Sequence, residues 1–225
     1  MGARNTPYHN GLFFFDLEFP SDYPNRPPSV RYRSFGLTLN PNLCRDGYVC
    51  FSLLNTWTGE QTERWDPNKS TVLQGLVLNE KPYYNEPGPK PAPSWKAYNA
   101  DVFPLSCKTM LFLLNKPLRN FEEFIAAHFK EHGSVILRAC IAYRHRRVSI
   151  GFFDVDDGRI TSDEKIKVSK KFKKSMDQLY PKLYKAFDGI GASLNNLPET
   201  MVEVEEKRPS GIISKLKKFW KAIKN

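Results

Sequence analysis

The sequence predicts an α+β domain in which antiparallel strands come first, a long ordered loop follows, and helices pack on one side. Three observations carry that expectation. Aromatic and apolar residues alternate at period two near the start, turn residues punctuate the middle, and apolar residues recur three and four apart later on.

The elements follow in order. Phe13, Phe15, Leu17 and Phe19 alternate within residues 12–19, which predicts a strand. Residues 20–28 hold four prolines in nine positions, which precludes a helix and forces a rigid extended connection. Residues 29–34 alternate again as the next strand, so an antiparallel meander is expected. From Leu37 to Trp57 the pattern is irregular, with Asn, Pro, Asp and Gly throughout, as in a long ordered loop with short extended pieces. Val72, Leu73, Leu76 and Val77 share a helical face in a short helix opening at Ser70, which Gly75 weakens by about 1 kcal/mol relative to alanine. Residues 81–93 form a proline-rich loop. Helices are expected over 101–115, 120–131 and 134–146, a linker over 154–163, and a basic amphipathic stretch over 165–187 interrupted at Pro181. A second linker, 189–210, leads to a final short basic helix over 211–225. The expected division is a core over residues 1–150 and a basic helical or linker extension over 151–225.

With 225 residues the chain suits one ordinary domain plus an extension, and 40% hydrophobic residues suit a globular core. No apolar run approaches the ~20 residues of a membrane span, and residues 1–9 lack the pattern of a signal peptide. A cytoplasmic or nuclear protein is expected. Cys44, Cys50, Cys107 and Cys140 are separated by 6, 57 and 33 residues, which matches neither a zinc-ligand pattern nor a secreted disulfide framework. The formal charge is +10, and residues 161–225 contribute 15 Lys plus Arg against 8 Asp plus Glu. Such a tail is either a solvated basic segment or an attractor of acidic surfaces.

Cys50 lies in the loop, eight residues after Asn42. A nucleophilic cysteine normally needs a base, yet the histidines (His9, His128, His132, His145) are all remote in sequence, and no small-residue signature supports a papain-like protease. A cysteine that receives an acyl group from another thioester needs no such base, because the thiols exchange at near-equal energy. Such a site must instead stabilise an oxyanion, which a side-chain amide such as Asn42 can do. It must also orient an incoming amine, for which Glu86 supplies a carboxylate.

These segments resemble the ubiquitin-conjugating enzymes. TPYHNGLFFFDLEFPSDYPNRPPSVRY resembles their early sheet with its Tyr-Pro and Pro-Pro loop. LNPNLCRDGYVCFSLLNTW resembles their active-site segment, in which a His-Pro-Asn triplet precedes the catalytic cysteine by about eight residues. Trp65 to Pro67 and the NEPG loop match in order, and TWTGEQTERW resembles the insertion of the large plant-type and hybrid conjugating enzymes. The resemblance covers roughly residues 5–129. It implies that Cys50 carries ubiquitin as a thioester, Asn42 stabilises the oxyanion and Glu86 gates the lysine. Trp65 and Pro67 would buttress the loop beneath the site, and Tyr23, Pro24, Pro27 and Pro28 would lie on the surface for a ligase. The implied partners are ubiquitin, a ubiquitin-activating enzyme, a ubiquitin ligase and a protein substrate. No metal or small cofactor is implied, since the ATP is consumed by the activating enzyme, and no nucleic acid is expected.

The chain departs from the family pattern in three places. Asn40 stands where the triplet has histidine, and that position is expected to be structural. The family's N-terminal helix and first strand have no counterpart ahead of Asn5, so the chain reads as N-terminally truncated. The helix after Trp65 reads as shorter by six or seven residues, about 10 Å. These departures define the alternative expectation, a catalytically impaired module of the same fold that binds ubiquitin, a ligase or a membrane. In the tail, Ile212, Ile213, Leu216, Phe219, Trp220 and Ile223 fall largely on one face of a basic helix. Residues 211–225 are expected either to engage a membrane surface or a partner's groove, or to dock on their own domain.

Overall fold

Strands β1 (Phe15–Glu18) and β2 (Ser29–Tyr32) pair antiparallel, with Phe15 opposite Tyr32 and Glu18 opposite Ser29. The structure is a computed structural model that describes residues 1–57, 63–68, 77–85, 95–145, 148–153, 168–195 and 197–200. Outside those residues lie Glu86, the linker 154–163, the tail helix 211–225, residues 58–62 of the insertion, and most of the short helix expected from Ser70. Among the described residues the expected meander consists of these two strands, extended by a bridge from Arg31 of β2 to Tyr48 of the following loop. Val30 and Tyr32 point inward while Ser29 and Arg31 are exposed, the alternation read from the sequence. β1 is shorter than the expected 12–19 because its first residues turn to other partners. Phe13 packs edge-on against Tyr8, and Phe14 packs against Phe121.

Helix α1 (Trp95–Asn115) begins six residues before the expected start. Tertiary contacts hold its first turns. The Tyr98 ring lies tilted against Tyr83 and the Trp95 ring against Phe152, and the Asn99 amide donates to the Glu80 carbonyl at 3.0 Å. Helix α2 (Glu122–Arg144) replaces the two helices expected over 120–131 and 134–146. Its first turn carries Glu122 and Glu123, which suit the positive end of the helix dipole. Helix α3 (Lys170–Gly189) opens with Ser169, whose hydroxyl accepts from the Phe172 amide at 3.0 Å. It runs through Pro181 without ending. A proline inside a helix costs about 3 kcal/mol. Here Phe172, Met176, Leu179, Tyr180, Leu183 and Phe187 are buried on both sides of it, each worth roughly 1.5–3 kcal/mol, so burial wins.

Two apolar clusters result. The larger joins α1, α2 and α3 through Phe103, Cys107, Met110, Phe129, Ile136, Cys140, Met176 and Phe187. Although α3 lies beyond residue 150, its buried face is continuous with the rest of this cluster. Residues expected to be linker after Gly189 also pack down, with Ala192 and Leu194 buried and the Tyr180 hydroxyl donating to the Pro198 carbonyl at 2.7 Å. The smaller cluster lies under the sheet and the loop: Tyr8, Val30, Tyr32, Leu39, Leu43, Val49, Leu54, Val77, Leu78 and Val102. This second cluster positions the site.

Candidate active site

The loop from Leu39 to Asn55 contains a hairpin that the sequence reading treated as irregular. Leu43 bridges Val49, the Cys44 amide donates to the Tyr48 carbonyl at 2.9 Å, and the Gly47 amide donates to the Cys44 carbonyl at 3.0 Å. Arg45, Asp46 and Gly47 form the three-residue turn, with the glycine at the left-handed position that closes it. Gly47 has φ +91°, and a Cβ there would sit 2.6 Å from the Tyr32 carbonyl oxygen, so only glycine fits. The Tyr32 amide in turn donates to the Gly47 carbonyl at 2.8 Å, which ties the hairpin to β2.

Asn42 and Cys50 face each other across the base of this hairpin. The Cys50 amide donates to the Asn42 carbonyl, and the Asn42 side-chain Nδ2 donates to the Cys50 carbonyl, both at 2.8 Å. Their spacing of eight residues is thus hairpin register. Cys50 is partly exposed, and its Sγ lies 3.8 Å from the Sγ of Cys44, neither sulfur being in a disulfide. Beyond Cys50, a 3-10 turn (Ser52–Leu54) is closed by Thr56, whose hydroxyl accepts from the Phe51 amide at 2.8 Å and donates to the Val49 carbonyl at 2.6 Å.

Asn40 anchors the arrangement. It is fully buried, and its Nδ2 donates to the Val77 carbonyl at 2.7 Å and to the Tyr8 hydroxyl at 3.0 Å. Its Oδ1 accepts from the Asn42 amide at 2.9 Å and from Asn85 Nδ2 at 3.4 Å. Tyr8 donates to the Leu39 carbonyl at 2.9 Å, and burial pushes its pKa well above the ordinary value, so it stays a neutral donor. Asn85 also donates to the Val77 carbonyl at 2.8 Å and accepts from Asn79, while Asn79 Oδ1 accepts from the Lys81 amide. A chain of side-chain amides therefore connects the Cys50 hairpin to the short 3-10 turn Pro82–Tyr84 and its following residue. Glu86 comes directly after Asn85 in sequence but lies outside the described residues.

The other expected site residues divide. Tyr23 and Pro24 are exposed, Pro27 is half-buried and Pro28 is buried, so only the front of the proline loop offers a surface. Trp65 is expected beneath the site, but its described contacts are with the proline loop: its Nε1 donates to the Pro24 carbonyl at 2.7 Å and its ring lies 5.9 Å from that of Tyr23. Pro67 is exposed. Phe19 packs edge-on against Tyr23 and adds apolar area around the proline loop. A shallow concavity lined by Glu18, Pro20, Arg26, Pro27, Ser29 and Asn55 runs from the proline loop toward the turn that follows Cys50. The histidines are engaged elsewhere. His9 is buried against Tyr143, with 2.8 Å between Nε2 and the hydroxyl, and His128 contacts the Asn10 carbonyl at 2.9 Å.

Asn40 is structural, as its place in the triplet led one to expect, whereas the roles of Asn85, Thr56 and Cys44 were missed from sequence. Asp46-Gly47 stands midway between Asn42 and Cys50, and reading it as a hairpin turn would have put Cys44 and Cys50 on one face. Among the described residues no group of acidic, histidine or cysteine side chains is arranged to hold a metal ion.

Comparison with known proteins agrees with this geometry. The family model described as ubiquitin-conjugating enzyme matches residues 1–100. The chain is 45% identical over 211 residues to the probable ubiquitin-conjugating enzyme E2 23 of Arabidopsis thaliana, covering 87% of this chain and 19% of that protein. It is 49% identical over 158 residues to the probable ubiquitin-conjugating enzyme E2 25 of the same plant, covering 64% of this chain and 26% of the relative. Against the probable ubiquitin-conjugating enzyme E2 26, also of that plant, it is 43% identical over 185 residues, covering 74% and 34%. The chain thus spans between about a fifth and a third of the length of these relatives. Its Asn–Cys hairpin, its proline loop and these matches together place the chain in the ubiquitin-conjugating enzyme family, close to the plant proteins of that name.

Proposed function

We propose that this chain accepts ubiquitin as a thioester on Cys50 and passes it to lysine amines of protein substrates. The observation that carries the reading is the reciprocal pairing of Asn42 with Cys50, which holds an amide beside a partly exposed thiol within a family-matched hairpin. Cys50 Sγ attacks the thioester carbonyl offered by a ubiquitin-activating enzyme and displaces that enzyme's thiol, one thioester being exchanged for another. An attacking lysine amine then produces a tetrahedral oxyanion, and we assign the Asn42 amide as the donor to it. Glu86 is assigned the orientation of that amine, supported by its place in sequence directly after Asn85. ATP is spent by the activating enzyme, and this chain needs no cofactor of its own.

The exposed Tyr23 and Pro24, with Phe19 and Trp65, are the surface we assign to a ubiquitin ligase. We assign residues 211–225 to a membrane surface or a partner's groove on their amphipathic pattern. Equal flotation with liposomes, with and without those residues, would sink the membrane assignment.

The direct test is a thioester assay with activating enzyme, ubiquitin and ATP, resolved with and without reductant. A reducible adduct of one ubiquitin, absent in Cys50→Ala and converted to a reductant-stable ester in Cys50→Ser, is expected. A folded chain that forms no adduct would overturn the reading.

A further inference from the structure

The contact between Cys44 and Cys50 has chemistry that thioester transfer does not use. The two sulfurs are 3.8 Å apart, in van der Waals contact, on opposite arms of the hairpin turned by Arg45, Asp46 and Gly47. Cys44 pairs with Tyr48 and Cys50 with Asn42, so the two side chains are diagonal neighbours on one face. Both are partly exposed and open to a small oxidant. A disulfide needs the sulfurs to close to about 2.05 Å, which calls for side-chain rotation and a small flexing of the hairpin. The other close pair of thiols, Cys107 and Cys140, is fully buried in the helical core, where the hydrogen bond between them and then burial push the Cys107 pKa well up. That pair serves as an internal comparison.

We propose that Cys44 and Cys50 form a redox pair, in which a hydroperoxide converts them to a disulfide that withdraws Cys50 from acylation and a thiol reductant restores it. The steps balance. The Cys50 thiol gives up its proton and the thiolate attacks one oxygen of hydrogen peroxide. The O–O bond breaks and the other oxygen leaves as hydroxide, which takes up that proton to become water, giving a sulfenic acid on Cys50. The Cys44 sulfur then attacks that sulfur, the S–O bond breaks, and a second water leaves with the thiol proton. Two electrons pass from the two sulfurs to the peroxide. A nearby resolving thiol also protects Cys50, because a sulfenic acid captured as a disulfide cannot advance to the irreversible sulfinic acid. The consequence for ubiquitin loading rests on the function proposed above; the disulfide itself does not.

The test uses the reduced full chain exposed to hydrogen peroxide, quenched with an alkylating reagent, and read by intact mass and peptide mapping. The expected product has lost two hydrogens, yields a linked Cys44–Cys50 peptide, keeps Cys107 and Cys140 alkylatable after unfolding, and reverts with dithiothreitol. Cys44→Ser should instead react with a second peroxide, gain two oxygens as a sulfinic acid on Cys50, and lose reversibility. Wild-type product carrying sulfinic acid on Cys50 with Cys44 still reduced would overturn the proposal, as would a linkage through Cys107 or Cys140. Charging by ubiquitin is measured on the same samples. Loss on oxidation with recovery in dithiothreitol is expected for wild type, and loss without recovery for Cys44→Ser. A disulfide that forms in a protein unable to charge even when reduced would sink the conjugating function while leaving the redox pair standing.

Discussion

Gly133 of α2 lies against the ring of Phe187 in α3, so closely that a Cβ on Gly133 would come within 3.1 Å of ring carbon. Phe187 is fully buried, and its ring also stacks on Phe129 one turn earlier in α2, so it has little room to retreat. Gly133→Ala therefore sets a gain of up to about 1 kcal/mol in helix propensity against about 1–3 kcal/mol of overpacking. The expected outcome is a net loss of stability, read as a lower urea midpoint. Adding Phe187→Leu should return part of that loss, and a simple sum of the two single effects would show that the contact is not the cause.

That same contact explains what the sequence did and did not disclose. Period-two alternation revealed both strands, and the combination of Asn42, Cys50 and the proline loop revealed the family, because each is a local pattern. Two helices are expected over 120–131 and 134–146, yet one helix runs through Gly133, which admits Phe187, a residue 54 positions away. Pro181 was read as an interruption and is carried by burial on either side. The amide chain through Asn40 and Asn85 joins segments 45 residues apart, which no local spacing could reveal. Local order is legible in sequence; the contacts that override it are not.

Asn40 is the residue whose loss should damage the site scaffold most. Asn40→Ala removes donors to the Val77 carbonyl and the Tyr8 hydroxyl and the acceptor for the Asn42 amide, all in a buried setting. A buried polar group left unpaired costs about 1–3 kcal/mol, so a total near 2–4 kcal/mol is expected. Asn85→Ala should cost about 1 kcal/mol, since the Val77 carbonyl keeps its bond from Asn40. Urea unfolding of both variants checks the ranking, and equal losses would contradict the central place given to Asn40.

Asn42 has two duties that kinetics can separate. Its amide holds the Cys50 carbonyl, and under the proposed function it also donates to the oxyanion formed when lysine attacks. Asn42→Ala should retain charging on Cys50 but slow single-turnover discharge onto free lysine by about 100-fold. If charging and discharge fall together, the amide serves only to hold the hairpin.

His9 should make the fold acid-sensitive. It is fully buried, Asn10 Nδ2 lies 3.2 Å from its Nδ1, and burial lowers its pKa from 6.5 to about 4. The unfolded chain therefore binds a proton on this residue near pH 6.5, while the native chain resists until about pH 4. Between those values the unfolded state carries more protons, so stability rises with pH and is lost on acidification. The shift corresponds to about 3 kcal/mol at most, fully present above the unfolded value. His128, whose pKa burial also lowers, acts in the same direction, whereas Tyr143 stays neutral throughout because burial raises its pKa. Urea midpoints from about pH 7.5 down to about pH 4.5 should fall less steeply in His9→Gln than in wild type, the difference between the two isolating this residue from the carboxylates. Parallel curves would mean that His9 is protonated in the native protein and that its burial does not set the acid limit of the fold.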